Sequence, residues 1–319
     1  MPWERAMTDR PVLAINIGGV RLAAAAVDSG GRVSAAVRLA TPTGPVVDAE
    51  VLWRTVLALI DQVRVRSGER DFAGVGVGCG GPMQWPAGEV SPLHLPAWRN
   101  FPLRKRLQEE FPHVPVRVHN DAICVAVGEH WRGAGRGVHN VLGVVVSAGV
   151  GGGLILDGRL VNGSSGNAGH LGHVIVDSGG PPCSCGGRGC LEAYVSGPVL
   201  VQWAASQGWR IGGTVRELAV DAERGHPVAQ AAIRRAGDAL GVAIASVTNL
   251  CDLDVVALGG DFSTSFPLLF GPLEEAFSRH VWATYARQVR IVPAELGQEA
   301  GLVGAAALVL AGDKYWSVD

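Results

Sequence analysis

Between Gly166 and Glu192 the sequence reads GNAGHLGHVIVDSGGPPCSCGGRGCLE, which places His173, Cys183, Cys185 and Cys190 close together among glycines and prolines that turn the backbone tightly. Three thiolates and one imidazole make up the closed, four-coordinate set of a structural zinc site, and Cys-x-Cys spacing lets one loop supply several ligands. The His-x9-Cys-x-Cys-x4-Cys spacing is not that of a zinc finger, and the same residues can also be read as a disulfide pair beside unrelated neighbours. The N-terminal MPWERAMTDR is polar and no apolar run is long enough for a signal peptide or a membrane span, so a cytoplasmic chain is expected. A reducing compartment favours metal over disulfide. Four protein ligands leave no coordination position for a reacting water, so the metal is expected to shape a site and not to do chemistry.

With 319 residues, 48% hydrophobic and 18% charged, the chain is long enough for two lobes. A formal charge of -2 gives no sequence-wide basic field, and no DNA-binding module precedes the first strand, so neither nucleic acid nor membrane is an expected partner. The 45 glycines follow no collagen-like period and point to tight turns and close backbone approaches. Cys79, Cys124 and Cys251 sit singly among apolar neighbours and read as buried small hydrophobes.

Residues 1–10 read as a flexible leader. Pro11 to Ala26 is a strand, a Gly18-Gly19 turn and a second strand, a hairpin whose bare N–H groups suit phosphate oxygens but which can equally be only a turn. A third strand over Val33–Leu39 precedes a helix over Ala49–Arg66, whose apolar residues recur at helical spacing. A strand over Phe72–Val77 runs into the loop Gly78-Cys79-Gly80-Gly81-Pro82, and strand ends of this kind hold ligands in open α/β sheets, which makes Gly81 a candidate substrate contact. Trp98 either lies against a ligand or simply packs. After a helix over Leu103–Phe111, the strand Val114–Val118 leads into His119-Asn120-Asp121. Asp121 opens an apolar helix, either as its N-cap or as a base held at the helix mouth. A strand over Asn140–Ser147 then enters the glycine run 148–153 and a further strand to Leu156. Beyond the Cys/His loop, helical sequence with turns over Val199–Val220 and a helix over Pro227–Leu250 lead to the strand Asp252–Leu258, which breaks at Gly259-Gly260-Asp261. A helix over Phe266–Phe277, a strand over Val289–Val292 and a closing helix over Gly301–Ala311 finish the chain.

The stretch 166–192, with its Cys-x-Cys-Gly-x-x-Gly-Cys-Leu-Glu run, resembles the signature of the ROK family of repressors and sugar kinases, and the glycine motifs follow in matching order from Val12 to about Ala311. The resemblance implies an α/β, two-lobed actin-like ATPase fold built of ribonuclease-H-like halves. Its N-terminal lobe would span 11–120 and its C-terminal lobe 121–319, the latter carrying the zinc loop, with the last helix packing back on the N-terminal lobe. It implies transfer of a phosphoryl group from ATP, with Mg²⁺, to a small sugar, and a homodimer or homotetramer. Carried over by position, Asp121 would be the base; Asn120, His170, His173, Glu192 and Gly81 would meet the sugar. Asn16, Gly18, Gly19, Ser147, Gly149, Gly151, Gly152, Gly259 and Gly260 would face the nucleotide, and His173, Cys183, Cys185 and Cys190 would hold structural Zn²⁺.

Four positions depart from the family pattern. Asn16 stands where an aspartate usually helps hold the hydrated metal, Val20 and Ala148 replace threonines, and His170 replaces a glutamate that grips the sugar. A neutral amide binds Mg²⁺ less well than a carboxylate, so a sugar-binding protein with impaired turnover is the alternative reading. Imidazole at position 170 changes the donor and acceptor pattern offered to ring hydroxyls. The expected acceptors are therefore glucose, an amino hexose such as kanosamine, which enters antibiotic biosynthesis, or an N-acylmannosamine, whose kinases share the run Gly180–Gly186; the 6-hydroxyl is the expected site.

Overall fold

A computed structural model of the chain describes residues 10–44, 47–260 and 267–316. The same sheet design occurs twice in it. The first sheet joins β1 (Val12–Ile17), β2 (Arg21–Val27), β3 (Val33–Ala40), β4 (Val75–Cys79) and β7 (Val116–Asn120), in the order β3-β2-β1-β4-β7. Its β1–β2 and β2–β3 pairs are antiparallel, and β1–β4 and β4–β7 are parallel. The second sheet orders β8 (Val141–Val146), β9 (Val150–Leu156), β10 (Arg159–Leu160), β11 (Val255–Gly259) and β12 (Arg290–Pro293) as β10-β9-β8-β11-β12, with the same alternation of directions. This mixed order is the ribonuclease-H-like plan expected from the resemblance. Between β4 and β7 the short strands β5 (Met83–Gln84) and β6 (Glu89–Val90) form a small ribbon.

The strands at the centre of each sheet are covered on both faces and read as continuous apolar runs: VLAINI in β1, VLGVVV in β8, VVALG in β11. The helices follow local signals. In α1 (Ala49–Ser67), Asp48 caps the first turn by accepting from the Val51 N–H, and Gly68 ends the helix at φ 74°; Leu52, Val56, Leu59, Ile60 and Val63 form the buried stripe. α2 covers Leu103–Glu110 and α3 covers Asp121–Arg132. After the Cys/His loop come α4 (Glu192–Val195), α5 (Gly197–Ser206), α6 (Val215–Glu223) and the long α7 (Pro227–Cys251), which begins on a proline. α8 (Phe270–His280), α9 (Ala300–Leu310) and α10 (Gly312–Tyr315) complete the chain.

Several boundaries differ from expectation for identifiable reasons. The fourth strand begins and ends later than 72–77, because its register with β1 and β7 continues through Cys79 opposite Ile17 and Asn120, which draws Gly78 and Cys79 out of the loop. The helical sequence with turns expected over 199–220 is seen as two helices, with Gly208, Gly212 and Gly213 in the turn between them and a Thr214–Glu217 capping box starting the second. The helix expected from Phe266 is seen as α8 from Phe270; Phe266, Asp261 and residues 1–9 lie outside the described residues. Trp98 packs: it is fully buried, stacks on Phe101 with centroids 4.2 Å apart, and donates to the Ala49 carbonyl at 3.2 Å. Cys79 and Cys124 are buried as expected, whereas Cys251 is only partly so.

One apolar core lies under α1 and α2 on the first sheet, and another joins the second sheet to α5–α8. The third brings Val12, Ala14 and Ala25 of the first sheet together with Val141, Ile155 and Val255 of the second, around Ile123 and Val127 of α3 and Leu302 and Ala306 of α9. α3 and α9 cross so closely that a Cβ on Gly304 would run into the Cys124 carbonyl oxygen, and one on Gly128 into that of Ala300. α9 also packs on β1 and β4 of the first sheet.

Candidate active site

Asp121 sits where β7 turns directly into α3. The cap of that helix is Asn120, whose Oδ1 accepts from the Ala122 N–H at 2.9 Å, and Asp121 is the first helical residue, its own Oδ1 accepting from the same N–H at 2.8 Å. The N-cap reading of Asp121 therefore passes to its neighbour. The Asp121 carboxylate gains from the positive end of the helix but is pushed the other way by burial. Burial is the larger effect and raises its pKa above the usual aspartate value, opposed by the Ala122 N–H and by the charge of His94.

Around this carboxylate the predicted residues fall into three groups. Asn120 reaches toward the loop after β4, where a Cβ on Gly81 would lie 2.6 Å from Asn120 Nδ2 and 4.0 Å from Asn167 Oδ1. Asn16, near the end of β1, flanks the end of β4: a Cβ on Gly78 would lie 3.0 Å from Asn16 Oδ1 and 3.3 Å from the Asp121 Cα. Asn16 Oδ1 is buried without a hydrogen-bond partner. An orphaned acceptor there fits a cation's water shell, and Asn16 is the residue that would help hold Mg²⁺. On the other side, Glu192 at the start of α4 accepts from the Val150 N–H at 2.9 Å and from Ser184 Oγ at 3.4 Å. His170 stands beside it, its ring centroid 4.8 Å from that of His173. Burial and then His173 lower the His170 pKa while Glu192 raises it, so the net effect favours the neutral ring.

The glycines divide into two kinds. Gly18 and Gly19 form the β1–β2 turn, with the Gly18 N–H donating to the Arg21 carbonyl at 3.0 Å, and Ala148 and Gly149 form the equivalent β8–β9 turn after Ser147. Gly259 ends β11 opposite Val145, next to the end of β8, and Gly260 follows at φ 92° against Val146. The structure corrects the placement of Gly151 and Gly152 in the second turn: both lie within β9. A Cβ on Gly151 would meet the Ala122 Cβ at 2.5 Å, and one on Gly152 would meet the Gly143 and Gly169 oxygens at 2.9 Å, so packing accounts for them.

His119 escapes motif reading because it does its work from inside. Its ring is fully buried, stacks near Trp85 and meets the edge of Trp316. Nδ1 accepts from the Asn120 N–H at 2.8 Å, which places the proton on Nε2, donating to Asn162 Oδ1 at 2.8 Å. Burial lowers its pKa to about 4, so the ring is neutral near pH 7 and pins the backbone of Asn120. Asn162 and Asn167, which also donates to the Met83 carbonyl, bring the loop after β10 across to the first half of the chain. His94, exposed on the irregular segment between β6 and α2, was the other residue that no spacing marked.

The Cys/His loop forms a compact donor set. The ligand atoms of His173, Cys183, Cys185 and Cys190 all lie within 4.8 Å of one another. His173 Nδ1 is 3.8 Å from Cys183 Sγ, and Cys185 Sγ is 3.8 Å from Cys190 Sγ. A disulfide needs about 2.05 Å between sulfurs. A tetrahedral ion with bonds near 2.3 Å to sulfur sets its ligands about 3.8 Å apart, so the set fits a structural metal. With Nδ1 toward the cysteines, Nε2 of His173 is left on the other edge of the ring.

The ROK family model matches residues 12–311. The N-acetylmannosamine kinase of Citrobacter koseri is 35% identical over 304 residues, covering 95% of this chain and 99% of that protein. The crystal structure of the ROK hexokinase from Thermus thermophilus superposes with a TM-score of 0.82 at 33% identity, covering 95% of this chain and 98% of the other. The ROK glucokinase of Streptomyces griseus, solved with glucose and AMPPNP, gives 0.81 at 30% identity over 93% and 98% of the two chains. A family match along nearly the whole length, with the paired sheets of the actin-like ATPase fold and a compact Cys/His donor set, makes this chain a member of the ROK family.

Proposed function

We propose that the protein is a sugar kinase that transfers the γ-phosphoryl group of ATP to a hydroxyl of a hexose. The observation that carries this is the Asp121 carboxylate at the mouth of α3, beside the Gly80–Gly81 loop that follows β4 and with its pKa raised by burial. A carboxylate with a raised pKa at a strand-to-helix junction is suited to accept the hydroxyl proton as the bond to phosphorus forms; such a base contributes about 10²–10⁴-fold. Asn120, Gly81, Glu192, His170 and the outer nitrogen of His173 would bind the sugar. The glycine turns at 18–19 and 148–149 would place N–H groups on the phosphates, and Gly259 and Gly260 would lie near the adenosine. Bound Mg²⁺ would neutralise phosphate charge, and zinc on His173, Cys183, Cys185 and Cys190 would hold the sugar-binding loop.

The acceptor we infer is an unmodified or N-substituted hexose. His170 favours this over a strict copy of a glucose site: a neutral imidazole offers one donor and one acceptor where glutamate offers acceptors alone. Relatives named for glucose and for N-acetylmannosamine both lie in the same identity range.

The test is an ADP-release assay with glucose, N-acetylmannosamine and kanosamine, repeated with Asp121→Asn. Turnover with at least one sugar, lost by about 10³-fold in the variant while nucleotide binding persists, supports the reading. Sugar binding with no turnover of any acceptor would instead favour the impaired form that Asn16 and Ala148 make conceivable, and an unchanged kcat in the variant would remove Asp121 from its role.

A further inference from the structure

His94 lies on the segment after β6 and contributes nothing to the cores. A Cβ on Gly19 would sit 2.5 Å from the His94 Cβ, so the segment presses on the first glycine turn. A Cβ on Gly149 would sit 3.5 Å from His94 Nε2 and 2.9 Å from Glu192 Oε2, so the far end of the ring reaches the second turn. Its charge also acts on Asp121, lowering that carboxyl's pKa against the effect of burial. One imidazole thus spans the gap between the two turns, in front of the helix-mouth carboxylate.

The groups gathered there are otherwise amides, carboxylates, imidazoles and backbone N–H groups, with no lysine or arginine among the residues placed around Asp121. Asp121 faces the ring from α3 and Glu192 from α4. Arg21, after the first turn, is directed to Gln298, and Arg99 on the same segment is engaged by the carbonyls of Pro92, Leu95 and Trp98. Phosphoryl transfer is catalysed chiefly by positioning and by neutralising charge on the oxygens of the moving group.

We propose that His94, as its imidazolium, donates to the oxygens of the transferring phosphoryl group between Gly19 and Gly149. The proposal rests on the kinase reading of the site. It adds a hydrogen bond and a charge and no covalent step; the sugar hydroxyl proton still goes to Asp121.

The experiment compares the binding of AMPPNP and of ADP, each with Mg²⁺, by calorimetry in the full chain and in His94→Gln and His94→Lys, alongside kcat. Because His94 is exposed, neither variant removes a packing contact of the core. The expected result is that Gln lowers AMPPNP affinity about tenfold while leaving ADP affinity unchanged. It should also lower kcat about 10²-fold with a smaller change in the sugar KM. Lys should restore the preference for AMPPNP. Equal loss of ADP and AMPPNP affinity, or an unchanged ratio and kcat in the Gln variant, would overturn the proposal. A chain that turns over no sugar would defeat the kinase reading, and the nucleotide comparison would still decide for or against His94.

Discussion

At the level of single residues, the buried His119 and the half-buried Asp121, two positions apart in sequence, pull in different ways with pH. His119 has a folded pKa near 4 against about 6.5 in an unfolded chain, so below pH 6.5 the unfolded state binds more protons. Its contribution to stability is complete above about pH 6.5 and declines as pH falls toward 4, by about 3 kcal/mol in all. Urea unfolding at pH 7 and pH 4.5 should show this loss, and His119→Gln should have a shallower pH dependence; an equal slope in both proteins would disprove it. As the proposed base, Asp121 would act on rate instead. Its raised pKa means that kcat/KM should begin to fall on acidification at a pH above the ordinary aspartate value near 3.9, with a slope of one. An acid limb at or below that value would show that the carboxyl is not held up in the working enzyme. Asp121, Asn120 and Glu192 were legible in the sequence because polar residues at strand ends and helix starts leave a local signal. His119 and His94 were not, since each depends on a partner distant in the chain: Asn162 for one, the two glycine turns for the other.

Among the elements, the loop from 166 to 192 has little regular structure and carries the Cys/His donor set. It has one turn of 3-10 helix at Leu171–His173 and isolated bridges at Ile175–Cys190 and Pro182–Arg188, and its other backbone hydrogen bonds, such as Cys183 N–H to the Gly187 carbonyl, are local turns around the donor set. Metal analysis of the purified protein should give about one zinc per chain. Removing it should raise the KM for sugar by about tenfold or more while changing that for ATP far less, because His173 and Glu192 stand on this loop and the glycine turns do not. Equal changes in both would mean that the ion supports the whole fold. Hydrophobic periodicity disclosed the strands and the long helices well, since burial on both faces or along one stripe writes itself into the sequence. It failed at Gly151 and Gly152, where a run of glycines looked like a phosphate turn. Those glycines are small because α3 and the loop at Gly169 lie against β9, a close approach that composition cannot distinguish from a ligand.

For the molecule as a whole, the crossing of α3 with α9 is the joint around which both sheets are assembled. Gly304→Val would drive a branched side chain into the Cys124 carbonyl and should cost about 1–3 kcal/mol or more, read as a lowered Tm with loss of activity in proportion to unfolding. A Tm within a degree of the parent would show that the helices can separate without penalty. Glu129 strengthens the same region: it is fully buried, and its carboxylate accepts from the N–H groups of Ala134, Glu295 and Leu296. Because α9 covers β1 and β4, strands translated by Cys79 wait for a helix that begins only at Ala300. A ribosome that has released β1 to β7 but not α9 has therefore released a sheet with one apolar face still bare, and a nascent chain of this kind has reason to need a chaperone until α9 emerges.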